Sequence, residues 1–410
     1  MIFLYGINEI TRIVESQINQ KVHYITTNGS ENYNDSLVCS LKDLAELDYS
    51  AIEKIIICSM YTTEITESLL EIGFPIESIF FYNCNTCRID TIFLSDIQDD
   101  ILYAVFDLKN NFVSYDFTNF LYLAEQNRIA SSKNKLGLIV IPNKSSSNLI
   151  VSATHYSASD ADWRLDHIIY PLAHSLPSVC SITLLPSRDF FSQLDINADD
   201  IFPIGYSIDA PPKQYVYNDI KVFSLPYLFD AREIPASIAS NYIENHCENR
   251  LPVVITLREY DAQPGRNSNL KSIEQFIAKL DPKYQPIIVR DTYKTGSRLP
   301  GSLASVPSCD AAALDVEVRI ALYQKAFVNL AVNTGPSYTF AFIKGCYSIE
   351  YRWIDDDIFS ISKGVMEQAG FSKDKQPVFF ASGKNLLFWG KDTTKNMSES
   401  FSYFLSIRDT

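Results

Sequence analysis

Two polar segments in the C-terminal part of the sequence carry the residue types that bind a phosphate group. Arg258 and Arg266 flank a loop with a Pro-Gly turn, and each guanidinium group can bind two phosphate oxygens at once. The second segment, Asn333-Thr-Gly-Pro-Ser337, combines the permissive Gly335 with a proline suited to the first turn of a helix. Backbone N–H groups and the helix dipole at such a start favour an anion. The two segments therefore predict a phosphate site, with a capped turn and a solvated arginine pair as the plain structural alternatives.

Short apolar runs precede both segments and predict the sheet that positions them. Strands are expected at Leu251–Leu257, Pro286–Arg290 and Phe327–Val332, and helices at Leu270–Leu280 and Asp315–Lys325. Alternating strands and helices form a parallel sheet with helices on both faces. Because ligands bind beyond the carboxyl ends of such strands, both polar segments are expected at one functional edge.

Length and composition set the broad class of the protein. The chain has 410 residues, enough for two or three domains, and its hydrophobic fraction of 46% is that of a globular protein. A formal net charge of −14 argues against a general nucleic-acid binder, which needs a basic surface. The eight cysteines form no dense disulfide framework, and the sequence shows neither a secretory signal nor a membrane-spanning stretch. A cytoplasmic protein is expected, and attachment to the inner face of the membrane is left open.

The first 87 residues repeat the alternation of strands and helices on a smaller scale. Strands are expected near Met1–Tyr5, Val22–Thr26, Lys54–Cys58 and Ile76–Tyr82. A dinucleotide site needs Gly-x-Gly-x-x-Gly after the first strand, but this chain has Gly6, Asn8 and Thr11 there. The missing glycines would allow close approach of the pyrophosphate and tight helix packing, so NAD binding is not expected.

The sequence divides into four expected parts. They are a Rossmann-like module at 1–87, a connecting segment at 88–135 and two α/β lobes at 136–245 and 246–410. Cys84-Asn-Thr-Cys87 has the spacing of a redox or zinc motif, yet no second pair and no histidines follow at suitable spacing. Two surface cysteines are therefore the favoured interpretation.

The middle lobe supplies the candidates for acid–base chemistry. Its expected strands are Leu136–Pro142, Leu149–Ala153, Ser181–Leu185 and Val222–Leu225. His155 lies just past a strand end, and a helix from Asp160 is expected to kink or break at Pro171. His155 is the first functional candidate among the five histidines, with a structural or surface histidine as the alternative.

Several strings in the last lobe resemble sequences from bacterial surface-polysaccharide gene clusters. They are Ile255-Thr-Leu-Arg-Glu259, Gln263-Pro-Gly-Arg-Asn-Ser-Asn-Leu270, Arg290-Asp-Thr292, Arg319-Ile-Ala-Leu-Tyr323 and Asn329-Leu-Ala-Val-Asn-Thr-Gly-Pro336. Such proteins are usually described as glycosyltransferases. The Asn-Thr-Gly-Pro turn also resembles the Asp-Thr-Gly turn of the heptosyltransferase-like lobe, with Asn333 in place of the acid. The resemblance implies a GT-B-like fold, two Rossmann-like lobes facing a cleft, preceded here by the small α/β module.

The resemblance implies a nucleotide-sugar donor, a glycan acceptor and no separate cofactor or metal. Cations and N–H groups would stabilise the diphosphate leaving group. The expected donor-binding residues are Arg258, Arg266, Asn267, Asp291, Glu317, Asn333, Thr334, Gly335 and Ser337. Glu317 would accept ribose hydroxyls, or instead pair with Arg319 or Lys325. His155 or Asp160 is the expected general base for the acceptor hydroxyl.

Other interpretations stay open at the level of sequence. A non-catalytic protein of the same two-lobed shape would bind a sugar nucleotide or act as a scaffold. A sugar-nucleotide oxidoreductase built on the first module is the third hypothesis. Asp355-Asp-Asp357 resembles the metal-binding Asp-x-Asp of GT-A transferases, although an acidic surface turn is favoured. The sugar, the acceptor, the stereochemical course and the oligomeric state are not specified by the sequence.

Overall fold

A computed structural model describes residues 1–34, 36–59, 61–83, 88–91, 100–143, 158–194, 196–222, 224–261, 263–372 and 384–408. The chain forms two compact units. The N-terminal unit is built from Met1–Asp99 and Leu185–Ile196. The C-terminal unit is built from Asp100–Asn143, 158–184 and Asn197–Thr410.

The N-terminal unit contains a seven-stranded sheet in the order β3-β4-β2-β1-β5-β6-β7. Its strands are β1 (Ile2–Tyr5), β2 (Val22–Ile25), β3 (Ser30–Tyr33), β4 (Ser36–Cys39), β5 (Lys54–Ile57), β6 (Ile79–Asn83) and β7 (Arg88–Thr91). Its helices are α1 (Glu9–Gln17), α2 (Leu41–Ala45) and α3 (Thr62–Glu71). The five central strands are parallel, and β3 and β7 add antiparallel edges.

The start of α1 explains why the glycine fingerprint is absent. The side chain of Asn8 accepts the N–H groups of Ile10 and Thr11, and the Thr11 hydroxyl accepts the N–H of Asn8. Asn8 Nδ2 also donates to the carbonyl of Cys58 at 2.6 Å. A side chain therefore satisfies the N–H groups that a pyrophosphate would use, and the expectation against NAD binding stays a prediction.

The C-terminal unit begins with a four-stranded parallel sheet in the order β10-β9-β8-β11. Its strands are β8 (Ile101–Asp107), β9 (Lys135–Ile141), β10 (Val179–Leu184) and β11 (Ile201–Phe202), and α4 spans Phe117–Ala130. The prediction of a connecting segment at 88–135 was wrong for the residues that form β8 and α4. Because β8 is buried along its whole length and pairs with β9, it belongs to the sheet.

The helix around Pro171 differs from the expected kink or break. The chain passes from α5 (Ala158–Arg164) through a π turn at Leu165–Ile169 into α6 (Tyr170–His174). Proline lacks the N–H that an α-helix would use at this position, and a π turn accommodates the missing hydrogen bond. Residues 222, 224 and 225 form no strand, contrary to prediction. The predicted strand Leu149–Ala153 lies outside the described residues.

A five-stranded parallel sheet completes the C-terminal unit in the order β13-β12-β14-β15-β16. Its strands are β12 (Leu251–Thr256), β13 (Tyr284–Val289), β14 (Val328–Val332), β15 (Ser348–Arg352) and β16 (Asn385–Trp389). The remaining helices are α7 (Glu233–Cys247), α8 (Leu270–Ile277), α9 (Asp310–Leu314), α10 (Val316–Lys325), α11 (Lys363–Gln368) and α12 (Thr394–Arg408). The predicted strands and the α8 and α10 helices agree with these bounds to within a few residues.

Apolar packing holds the two sheets of the C-terminal unit together. One core includes Leu138 and Phe120 from the four-stranded sheet and its helix, and Val289 and Tyr323 from the other lobe. A second core covers the opposite face of the five-stranded sheet. The predicted α/β class, with tandem Rossmann-like lobes and a small α/β module before them, is confirmed. In the described part of the chain, no helix has the length and apolarity to cross a bilayer.

Candidate functional site

The Asn333–Ser337 turn follows directly from β14. The Ser337 hydroxyl donates to the carbonyl of Thr334 at 2.8 Å and accepts the Thr334 N–H at 3.2 Å. Asn333, Thr334 and Ser337 are buried, and the helix that follows is a seven-residue 3-10 helix, Pro336–Phe342. The turn is therefore largely buried, and it uses the Thr334 N–H and the Ser337 hydroxyl internally.

Arg266 reaches this turn from the loop after β12. Its Nη2 donates to the carbonyl of Asn333 at 2.9 Å, and its Nη1 donates to Ser360 Oγ at 2.8 Å and to Gln263 Oε1 at 3.2 Å. Its Nε is buried without a hydrogen-bond partner. No carboxylate in the described part of the chain lies within ion-pair distance of this guanidinium. Burial, with a contribution from nearby Arg258, lowers the pKa of Arg266 to about 10.

Arg258 differs from Arg266 because its hydrogen bonds lie within its own loop. Its Nη1 donates to the Asn267 side-chain oxygen and to the carbonyl of Gln263, the latter at 3.1 Å. Burial lowers the pKa of Arg258, and Asp291 opposes this shift. Asn267 also bonds to the backbone of Tyr260. Arg258 and Asn267 thus shape the loop that presents Arg266.

A buried ion pair at the end of β15 adds a third arginine. Arg352 and Glu350 are each 1% exposed, and Arg352 Nε donates to a carboxylate oxygen of Glu350. The Arg352 guanidinium lies 3.8 Å from the ring centroid of Phe371. Burial raises the pKa of Glu350, and Arg352 opposes the rise. Arg258, Arg266 and Arg352 together form what we call the arginine cluster.

The four-stranded sheet contributes a carboxylate to this cluster through Asp116, at the start of α4. Asp116 does not cap its helix; its side chain instead accepts from the Ser114 hydroxyl at 3.1 Å and from Tyr338. Burial raises the pKa of Asp116, and Arg352 is close enough to oppose the rise. A carboxylate from one lobe therefore faces arginines from the other.

Close packing between Tyr115 and Gly335 brings these two lobes together. A Cβ atom on Gly335 would come within 2.7 Å of the Tyr115 ring. The Tyr115 hydroxyl accepts from Arg319 Nη1 at 3.0 Å. Gly335 is therefore needed for the close approach of an aromatic ring, in addition to any role in the turn.

Glu317 is held by partners other than those predicted. Its carboxylate accepts from Arg232 Nε at 2.8 Å and from Arg232 Nη2 at 2.7 Å. His174 Nδ1 lies 3.7 Å from Glu317 Oε1. The sequence-based alternatives of Arg319 and Lys325 were wrong, because Arg319 instead donates to the carbonyls of Ala312 and Ala313. A ribose hydroxyl would have to compete with Arg232 for this carboxylate.

The other predicted residues fall in different surroundings. Asp160 accepts from Arg164 Nε at 3.2 Å, one helical turn away, and His155 lies outside the described residues, as do Cys84 and Cys87. Asp291 accepts the Tyr293 N–H at 3.3 Å in a short turn after β13. The Asp355 carboxylate accepts the N–H of Asp357, and the Asp356 carboxylate accepts the N–H of Lys363. These two carboxylates therefore stabilise the local backbone.

Three members of the site were missed in the sequence. Asp116 stands in the segment taken as a connection, although an acid just before a helix and soon after the apolar run Ile101–Asp107 is a usable signal. Glu350 and Arg352 alternate along the end of β15, where two charges within an apolar strand indicate a buried pair.

Comparisons with known proteins give distant structural likenesses. No protein-family model matches the sequence, and no curated protein matches it significantly. A glycosyl transferase family 9 structure from Veillonella parvula DSM 2008 has 8% identity and a TM-score of 0.39, covering 76% of this chain and 90% of that chain. ADP-heptose lps heptosyltransferase II of E. coli has 10% identity and a TM-score of 0.36, covering 100% and 99%.

A third solved structure, the glycosyltransferase SnogD from Streptomyces nogalater, has 11% identity and a TM-score of 0.23, covering 100% of this chain and 93% of that chain. TM-scores below 0.5 at such identities carry no weight for the function of this chain.

Proposed function

We propose that this chain is a GT-B-like glycosyltransferase that moves a sugar from a nucleotide-sugar donor to a glycan acceptor in the assembly of a bacterial surface polysaccharide. The donor is a substrate, and no separate cofactor or metal is invoked. The reaction would take place in the cytoplasm. If the acceptor is linked to a lipid, it would take place at the inner face of the membrane. A non-catalytic sugar-nucleotide-binding or scaffold protein is the alternative.

The observation that carries the proposal is the state of Arg266. Arg266 is a partly buried guanidinium with a lowered pKa, and no carboxylate lies at ion-pair distance from it in the described part of the chain, so it has room for a directly paired anion. A diphosphate would be such an anion, and its own negative charge increases as it leaves the sugar. Arg266 is therefore the residue that we assign to the donor diphosphate, with Arg258 and Asn267 holding its loop.

Asp116 is the general base in this proposal. Its carboxylate would take the proton of the acceptor hydroxyl as that oxygen bonds to the anomeric carbon and the bond to the diphosphate oxygen breaks. A raised pKa improves a carboxylate as a base at neutral pH. His155 and Asp160 stay predictions, the first outside the described residues and the second paired with Arg164.

Binding requires a rearrangement at Gly335. The Tyr115 ring occupies the space next to this glycine, so a diphosphate that uses the Gly335 backbone would have to displace the ring. Arg319 holds the Tyr115 hydroxyl in its present position. The proposal therefore includes a movement of the Ser114–Asp116 segment between donor-free and donor-bound states.

Turnover separates an enzyme from a binding protein. The purified chain is incubated with UDP-, GDP-, ADP- and dTDP-sugars, and release of the nucleoside diphosphate is followed with and without glycan acceptors. We expect release from one donor, with loss of that release in Asp116→Asn. A donor that binds without any release, whatever the acceptor, would support the scaffold alternative instead.

A further inference from the structure

The N-terminal unit contains a cavity of about 340 Å³ beside the carboxyl ends of β1, β2 and β5. This volume is at the small end of the range for ligand sites. Its lining includes Tyr5, Thr26, Thr27, Ser59, Tyr61 and Glu64. None of these residues takes part in the function proposed above, which uses the C-terminal unit alone.

The position of the cavity follows from the order of the strands. After β1 the chain adds β2 and β4 on one side, then returns to place β5 and β6 on the other side. The connections after β1 and β5 therefore run apart, which leaves a crevice between them at the end of the sheet. Ligands of open parallel sheets bind at such a switch point.

Hydroxyl groups dominate the polar lining. The hydroxyls of Tyr5 and Thr27 are 3.2 Å apart and bond to each other. Ser59 Oγ accepts the Tyr61 N–H at 3.2 Å, so its own proton is directed elsewhere. The Tyr61 ring is 68% exposed and offers a flat apolar surface at the edge of the cavity. Hydroxyl groups beside an aromatic face suit a ligand that carries both C–H and O–H groups.

Charge excludes an anion from this cavity. Among the described residues that line the cavity there is no lysine or arginine, and Glu64 adds a carboxylate. Glu67 and Glu71 extend the acidic surface along α3, and burial together with these neighbours raises the pKa of Glu67. The nearby start of α1 is already capped by Asn8. A phosphate would meet repulsion from Glu64 here, and the described lining offers no cation to pair with it.

We infer that this switch-point cavity binds a neutral, hydroxyl-rich ring of monosaccharide size. The Glu64 carboxylate would accept hydrogen bonds from the hydroxyl groups of the ring, and the Thr27 hydroxyl would donate or accept them. Such a ring can come from a free or terminal sugar unit, or from the ribose of a nucleoside. The inference does not depend on the proposed transferase activity.

The test measures binding of D-glucose, D-galactose, N-acetyl-D-glucosamine and adenosine to the full chain by titration calorimetry in the millimolar range. Variants Glu64→Gln and Thr27→Val remove a charged acceptor and a hydroxyl with little change of shape. Glu71→Gln is the matched control, because Glu71 lies on the same helix but does not line the cavity.

We expect one or more of these compounds to bind, with a rise in Kd of about tenfold in Glu64→Gln and Thr27→Val and no change in Glu71→Gln. Binding of adenosine alone would identify the ring as a ribose. The inference is overturned if no member of the panel binds, or if both variants bind as the wild type does.

Discussion

Both units place polar side chains at the carboxyl ends of parallel strands, yet the two groups have opposite character. At the end of β1 and β5 the side chains are hydroxyls and a carboxylate, and the helix start is capped by Asn8. At the ends of β12 and β15 they are arginines, one of them without a carboxylate at ion-pair distance in the described part of the chain. Similar topology thus provides a place for a ligand, and the local charges decide which ligand can bind.

The comparison also shows how each region satisfies its backbone. The N-terminal unit uses a side chain to cap α1, which removes the N–H groups that a dinucleotide needs. The C-terminal unit uses the Ser337 hydroxyl to close its turn, and its Arg266 has no carboxylate at ion-pair distance in the described part of the chain. A capped helix in one region and a cation without a direct ion-pair partner among the described residues in the other are therefore the observations that distinguish them.

The largest expected effect tests whether the C-terminal region performs chemistry. Asp116→Asn keeps the shape of the side chain but removes the base, so kcat for sugar transfer should fall about a thousandfold, within the usual range for a general base. Donor affinity should change little, because the diphosphate is assigned to Arg266. A variant with unchanged kcat would remove Asp116 from the mechanism.

The pH dependence of the same step provides an independent reading. The base must be deprotonated, and burial raises the pKa of Asp116 above that of an ordinary aspartate. The value of kcat/KM should therefore fall as the pH decreases through this raised pKa. The pH profile should show this acidic limb at a pH above the usual titration range of an aspartate. Rates of Asp116→Asn should lack that limb. A limb that persists in the variant would assign it to another group.

A stability measurement tests whether carboxylates balance the arginine cluster. Glu350→Gln leaves Arg352 buried without its partner, which should lower the free energy of unfolding by about 3 kcal/mol. Glu367→Gln, on the exposed face of α11, is the control and should change it by less than about 0.5 kcal/mol. Equal losses in guanidinium-induced unfolding would show that burial of the pair has no special importance.

A smaller effect is expected at Glu317, which belongs to the same unit but pairs away from the cluster. Because Arg232 is more than half exposed, Glu317→Gln should cost only about 1 kcal/mol of stability. Glu317 also raises the pKa of His174 against the lowering by burial, so the variant should lower that pKa further. Titration of the His174 ring by NMR checks this, and an unchanged pKa would contradict the contact.

The smallest expected signal concerns the N-terminal region. NAD should produce no binding heat that depends on this unit, since Asn8 fills the start of α1 and the neighbouring lining is acidic. Asn8→Gly would remove the cap without adding a cation, and it should not create NAD binding. Titration calorimetry with NAD provides the readout, and binding heat that Asn8 or the cavity lining controls would reverse the comparison between the two units.

The sequence predicted the parts of the fold that depend on buried apolar runs. Runs such as Leu251–Thr256 and Val328–Val332 form strands because every residue in them except Leu251 is buried between the layers. The strand Ile101–Asp107 was missed although it is equally apolar, because nearby acids suggested a linker. The pattern of apolar residues therefore identified strands and helices well, except where charged residues next to an element suggested a linker.

The site was only partly predictable, because its contacts join distant residues. Arg266 and the Asn333 turn were both expected at the strand ends, where the structure brings them together. The pairing of Arg232 with Glu317 spans 85 residues and depends on how two helices pack, which no local pattern records. Asp116 likewise acquires its role only when one lobe packs against the other.

The most direct test of the central claim is titration of the ligand-free chain with UDP, GDP, ADP and dTDP. We expect one of them to bind, with an affinity lowered about a hundredfold in Arg266→Met and clearly lowered in Arg258→Ala, which loosens the same loop. Arg250→Met is the control, because Arg250 contacts only Glu248 and its own turn among the contacts described. Equal binding by the wild type and Arg266→Met would contradict the assignment of the diphosphate to this arginine.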